Sequence, residues 1–162
     1  IEKLRNECNE TAQLSVLDED KILVLLKSES DQSVTIISKI GSSIPVNWAA
    51  SGRLLISNLT DDELRKKLPH MIEPSPTGKA PTDIEILIRE IREARESGYA
   101  LQIRQSNPHT GAVSAPVFDS TNKCIATVSV VVPDHRLKRQ HQRPLIDAVV
   151  RAAANLSRRL GG

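Results

Sequence analysis

The sequence predicts an α+β fold in which helices flank an antiparallel β-sheet. Three observations carry that prediction: strand-like runs come in pairs joined by polar turns, one helical block interrupts them, and an amphipathic helix closes the chain. A βαβ crossover arrangement is disfavoured, because no Gly-rich phosphate loop follows any strand-like run.

Leu4 and Cys8 stand one helical turn apart, so a short helix is expected before Thr11. Ala12, Leu14 and Val16 then alternate with polar residues, the period of a half-buried strand. Asp18, Glu19 and Asp20 make a turn, and the apolar run 22–26 returns as the hairpin partner. A third strand is expected over 34–38. Residues 41–45 read as a loop, and 46–59 as a helix that tolerates Gly52. Thr60 and Glu63 have capping-box spacing, with Leu59 and Leu64 as the flanking staple, and Pro69 is expected to end that helix. Residues 69–81 hold Pro69, Pro74, Pro76, Pro81 and Gly78, which makes them an irregular surface loop too short to separate two domains.

Thr82 and Glu85 repeat the capping spacing. Ile84, Leu87, Ile88, Ile91 and Ala94 then mark one helix face, stopped by Gly98. A strand over 99–104 follows, then a turn through Asn107 and Pro108 and a second hairpin over 114–118 and 125–132. The last helix carries an apolar stripe through Ile146, Val149, Ala153, Leu156 and Leu160, with Pro144 in its first turn.

A chain of 162 residues suits one domain, 1–162, with a substantial core. Trp48, Tyr99 and Phe118 are its only aromatic residues, so aliphatic side chains fill the core and a base-stacking single-strand binder lacks its platforms. The formal net charge of +2 is too small for a nucleic-acid surface. The one basic stretch, 135–143, reads as a solvated loop leading into the last helix. Cys8 and Cys124 cannot form a disulfide framework, and neither a signal peptide nor a spanning apolar segment is present. That pattern points to the reducing cytoplasm and to no membrane partner. The chain begins at Ile1 rather than Met, as a piece of a longer protein would.

No constellation of catalytic or metal-binding residues emerges. His70, His109, His135 and His141 have no metal-ligand spacing to a cysteine or to paired carboxylates, and no cofactor is implied. Ser51 lies in a run that reads as helix and lacks the G-x-S-x-G of a nucleophile elbow. Cys124 opens an apolar strand beside Lys123, where a small buried hydrophobe is the ordinary role and a lowered thiol pKa the sharper one. Asp61, Asp62 and Glu63 suit the first turn of a helix, where acids serve as caps and dipole partners.

Two segments together resemble the IclR family of bacterial transcription regulators. Gly41-Ser42-Ser43-Ile44-Pro45-Val46-Asn47-Trp48-Ala49-Ala50-Ser51-Gly52-Arg53-Leu54-Leu55 is similar to the family's G-x-x-x-P-L-H-A-T-A-S-G-K-A-L-L run. Arg92-Glu93-Ala94-Arg95-Glu96-Ser97-Gly98-Tyr99-Ala100 resembles its I-R-x-x-G-Y-A segment. Ser114-Ala115-Pro116-Val117-Phe118-Asp119 and Ile125-Ala126-Thr127-Val128-Ser129-Val130 resemble its A-A-P-V-F-D and A-A-L-S-V. Order and spacing agree across nearly the whole chain.

The resemblance implies a GAF-like effector-binding domain attached to an N-terminal winged helix-turn-helix absent from this sequence, with assembly into homodimers or homotetramers. DNA would then be bound only through that missing module. The positions matching the family's effector pocket are Ala50, Ser51 and Gly52 at the start of a helix, Gln102 and Ala112 on two strands, and Ser129 and Val131 on the last. Helix-start amides suit a small carboxylate. Arg104, two residues along the strand from Gln102, is expected to share its face and offer a countercharge, and Trp48 to wall the pocket mouth. Departures from the family pattern are Asn47, Trp48 and Ala49 for His, Ala and Thr, Arg53 for Lys, and Gln102 for an acid. His109 and Ala112 stand where glycine and cysteine are common. Two rival readings remain beside the sensor: a GAF-like enzyme using Ser51 or Cys124, and an oligomerisation domain without a ligand.

Overall fold

The computed structural model describes residues 1–32 and 39–162. Its elements run α1 (Glu2–Cys8), β1 (Thr11–Asp18), β2 (Lys21–Ser28), β3 (Ser43–Pro45), α2 (Ala50–Leu55), α3 (Asp61–Met71), α4 (Ile84–Ser97), β4 (Ala100–Ile103), β5 (Thr110–Phe118), β6 (Cys124–Pro133) and α5 (Arg139–Arg159). Short 3-10 turns precede α2 (Val46–Trp48) and α5 (Asp134–Arg136). The fold is α+β as expected: one antiparallel sheet in the order β3-β2-β1-β6-β5-β4, with helices on both faces.

The two faces of the sheet differ in chemistry. On one, Ala12 of β1, Val113, Ala115 and Val117 of β5, and Val128, Val130 and Val132 of β6 meet Ile146, Val149 and Ala153 of α5 and Leu4 of α1. Successive strand residues alternate between faces. The opposite face therefore receives Thr11 and Ser15 of β1, Gln102 of β4, Ala112 and Ser114 of β5, and Thr127 and Ser129 of β6, all buried. It lies on the side of α2, α3 and α4, whose own core joins Leu54, Leu64, Leu68, Leu87, Ile88 and Ile91. An aliphatic face packs tightly against its helices. A face of serines, threonines, glutamine and alanine, with Val131 and Pro116 among them, carries a hydrogen-bonding capacity that the aliphatic face lacks.

Local signals explain most boundaries. The capping box at Thr60 forms in both directions, with Glu63 N–H to Thr60 Oγ1 at 3.3 Å and Thr60 N–H to Glu63 Oε2 at 2.7 Å. Gly98 ends α4 in the left-handed region at φ 74°, where a side chain would be strained.

Several expectations need correction. Pro69 does not end its helix; α3 continues to Met71 and Ile72 N–H still reaches Leu68 O, since a proline near a helix end removes only one ladder bond. The cap of α4 is Asp83 rather than Thr82, its side chain accepting from Ile86 N–H at 3.0 Å. Residues 41–45 contain a strand, β3, which pairs with β2. The helix expected over 46–59 is broken at Ala49, whose extended backbone (φ −132°, ψ 152°) separates the 3-10 turn from the short α2. Pro144 falls in the second turn of α5, because that helix already starts at Arg139. The strand expected over 34–38 lies outside the described residues.

Candidate functional site

The polar sheet face is roofed by α2, and the entry to α2 depends on one glycine. A Cβ at Gly52 would lie 1.9 Å from the carbonyl oxygen of Val46, so only glycine lets the 3-10 turn fold back against the helix. Ala50, Ser51 and Gly52 are all buried. Ala49, the residue that caps α2, supplies no side-chain hydrogen bond to the first amides. The turn is anchored from outside: Asn47 Nδ2 donates to Glu73 O (2.8 Å) and Pro81 O (3.0 Å), and its Oδ1 accepts from Glu73 N–H (3.2 Å). Trp48, half-buried, donates from Nε1 to the same Glu73 carbonyl at 2.9 Å, which clips the turn to the segment after α3.

Arg53 is the residue that sequence reasoning undervalued. Its side chain is 4 % exposed. Nη1 donates to Asn47 O and Ala49 O, both at 2.9 Å, while Nη2 donates to Glu90 Oε2 (2.8 Å) and Gln105 Oε1 (2.7 Å). Burial pulls its pKa down and the Glu90 carboxylate pushes back. One guanidinium thus fixes the turn before α2, the middle of α4 and the loop after β4 in a single arrangement. The available signal was an arginine in a run, Ala49 to Ile56, whose only other polar side chain is Ser51.

Gln102, Ala112 and Val131 stand side by side on β4, β5 and β6, in direct register. One step along, Ser114 and Ser129 are also paired and share a hydrogen bond of 2.7 Å between their hydroxyls. Gln102 Oε1 accepts from Gln105 N–H at 3.1 Å, which holds the strand end to the loop that Arg53 also grips. The sequence-predicted residues Ala50, Ser51, Gly52, Gln102, Ala112, Ser129 and Val131 are therefore gathered between α2 and the sheet. A cleft of about 350 Å³ opens at the rim between α4 and β4, bounded by Arg53, Glu90, Glu93, Tyr99, Leu101 and Gln105.

Arg104 does not follow the expected geometry. β4 stops at Ile103, and Arg104 takes a left-handed backbone (φ 60°), so the two-residue alternation from Gln102 no longer applies. Its half-exposed side chain donates to Asp134 Oδ2 at 2.6 Å and draws the Asp134 carboxyl below its ordinary range. The basic stretch 135–143 is likewise more structured than a solvated loop. Arg136 makes a two-point contact with buried Glu10, Nε to Oε1 at 2.7 Å and Nη2 to Oε2 at 2.9 Å.

Cys124 is buried, with Sγ 3.4 Å from Ala126 O, and burial pushes its thiol up to about 11. Among the described residues, no group of three or more His, Cys, Asp or Glu side chains is placed to hold a metal ion, and no helix is long and apolar enough to cross a membrane.

Comparison with known proteins agrees with this architecture. Residues 1–158 match the family described as bacterial transcriptional regulator IclR C-terminal. The chain is 27% identical over 157 residues to the HTH-type transcriptional regulator BhcR of Paracoccus denitrificans, covering 97% of this chain and 56% of that protein. It is 26% identical over 161 residues to the HTH-type transcriptional regulator KdgR of Escherichia coli, covering 99% of this chain and 61% of the relative. The chain thus spans somewhat more than half the length of these regulators. Among solved structures, the C-terminal domain of E. coli KdgR superposes with a TM-score of 0.86 at 25% identity, covering 99% of this chain and 93% of that one. The Thermotoga maritima IclR superposes at 0.90 with 24% identity, covering 99% and 65%. The chain belongs to the IclR C-terminal family of bacterial transcriptional regulators.

Proposed function

We propose that this chain is the ligand-sensing part of a cytoplasmic transcriptional regulator, and that it holds a small organic acid between α2 and the polar face of the sheet. The observation that carries this reading is the asymmetry of the sheet, aliphatic toward α5 and, around Ser114 and Ser129, rich in small and polar residues toward α2 despite Val131. A face that only needed to pack would gain from the valines found on the other side. The start of α2 has no side-chain cap, and although the Gly52 amide donates to Ala49 O at 3.1 Å, the amides of Ala50 and Ser51 and the hydroxyls of Ser51 and Ser129 are donors suited to a carboxylate. Gln102 replaces a family acid by a neutral amide, which removes a repulsion toward an anion. Arg104 is engaged by Asp134, so backbone amides and hydroxyls are the proposed anion holders.

The regulatory consequence follows from connectivity. β1 contributes to the floor of the site and runs directly back into α1, which packs on α5 through Leu4. A ligand that favours one setting of β1 would shift α1 with it, and a coupling of about 1–3 kcal/mol suffices for a switch. In this reading the module joined to the chain is a helix-turn-helix domain, since the longer relatives BhcR and KdgR are HTH-type regulators. On this reading the chain works as a homodimer or homotetramer and as a sensor rather than a catalyst; the raised thiol of Cys124 speaks against that residue as a nucleophile. A thermal-shift screen of small aliphatic and aromatic acids tests the reading: at least one acid raises the melting temperature. A screen in which only neutral or cationic metabolites do so overturns the acid assignment.

A further inference from the structure

Ser15 on β1 and Thr127 on β6 are direct partners in the sheet register. Both residues are 0 % exposed. Among the described residues, neither hydroxyl has a hydrogen-bond partner. Strand alternation places both on the face beneath α2, and Thr127 is two residues from Ser129 on the same strand. Nearby, Ser114 and Ser129 satisfy one another, so the chemistry of this face is not careless about hydroxyls.

Buried hydroxyls without partners are costly, and alanine at 15 with valine at 127 would occupy much the same space without that cost. Small size and strand propensity account for the side-chain shapes, not for the oxygen atoms. Two adjacent hydroxyls can each donate to and accept from a ligand oxygen. Resting on the effector site proposed above, we infer that Ser15 and Thr127 form its second polar anchor, reading a hydroxyl or carbonyl oxygen on the ligand. Two residues along a strand advance roughly 6–7 Å, so that oxygen sits about this far from the carboxylate held near Ser129 and the start of α2. The ligand class is then an acid with a second oxygen function at the far end of a short chain, rather than one with a wholly apolar body.

The test uses hexanoate and ω-hydroxyhexanoate, titrated calorimetrically into the chain and into a Ser15→Ala/Thr127→Val double variant. The parent binds the hydroxylated acid roughly tenfold more tightly than hexanoate, the worth of one or two neutral hydrogen bonds. The double variant binds both acids equally, and hexanoate as the parent does. Without ligand, the double variant melts about 2–6 °C higher, because two orphan groups are gone. Should hexanoate bind the parent and its hydroxylated analogue bind no better, the acid reading stands and the second anchor fails. A ligand-free double variant that melts no higher than the parent also overturns the anchor, since its hydroxyls were then satisfied by water. Binding of neither acid overturns the acid reading and this inference together.

Discussion

Arg53 places two nitrogens on a single oxygen of Glu90, Nε at 3.1 Å and Nη2 at 2.8 Å, across 37 residues of sequence. The pair is uneven, for Arg53 is buried whereas Glu90 keeps about a third of its side chain in solvent (33 %). Removing the cation therefore leaves a carboxylate that can rehydrate, but also strands the carbonyls of Asn47 and Ala49.

Arg53→Met is accordingly expected to cost about 3 kcal/mol of unfolding free energy, and Arg53→Lys nearly as much, because an ammonium cannot reproduce the fork to four acceptors. Adding Glu90→Gln to Arg53→Met should recover less than half of the loss. Urea titration of the single and double variants reads the difference. A cost below about 1 kcal/mol for Arg53→Met would show that the arginine is not what orders the entry to α2.

Gly52 and Gly78 offer a matched contrast. A Cβ at Gly52 meets backbone at 1.9 Å, whereas one at Gly78 has nothing within 4 Å and only a left-handed φ of 67° to tolerate. Gly78→Ala should cost about 1 kcal/mol and leave ligand binding intact. Gly52→Ala forces the 3-10 turn away from α2, so it should cost about 3 kcal/mol or more and abolish binding. Equal midpoints for the two variants would contradict the close approach.

Much of this architecture is legible in the sequence, and the misses share a cause. Hairpin strands, the box at Thr60 and the stop at Gly98 are encoded by neighbouring residues, and they stand where expected. The break at Ala49 depends on a close backbone approach of Gly52 to Val46, and the pairing of β3 on its distant partner β2, neither of which a hydrophobic period displays. The same holds for the site. Gln102, Ala112 and Ser129 could be named from resemblance, but the burial of Arg53 and the unsatisfied pair Ser15 and Thr127 become visible only when strands are in register. Arg104 failed as a countercharge because one left-handed residue ends a strand's alternation.

The two cysteines predict an alkaline limb. Burial pushes the thiols of Cys8 and Cys124 from 9.0 up to about 11. A thiol whose folded pKa exceeds its unfolded value contributes stability that is complete below pH about 9 and is lost as pH rises toward 11. Stability should therefore fall between those values, and fall less in a Cys8→Ala/Cys124→Ala variant. A disulfide-exchange reagent at pH 8 should label Cys124 slowly until denaturant is added. Rapid labelling of native protein would argue for the nucleophilic thiol that the enzyme reading requires.

The proposed function separates assembly from DNA binding. The isolated chain should scatter light as a dimer or tetramer at micromolar concentration, and a species of 17.8 kDa across that range would count against it. With a net charge of +2, it should show no sequence preference in a mobility-shift assay.

Ala112 gives the sharpest test of where the effector sits. It lies on β5 between Gln102 and Val131 in register and is 6 % exposed, beneath the start of α2. Phenylalanine there would project into the space between sheet and helix, at an overpacking cost of about 1–3 kcal/mol, so the variant should fold with a lowered midpoint. An acid at 100 times its Kd adds about 2.7 kcal/mol to the parent, which for a domain of this size raises the melting temperature by roughly 5–10 °C. Ala112→Phe should erase that rise for every acid that stabilises the parent. Ala94→Phe offers the comparison, because Ala94 borders the cleft between α4 and β4 instead. If the acid still stabilises Ala112→Phe but no longer Ala94→Phe, the effector binds at the rim beside Arg53 and not on the polar face beneath α2.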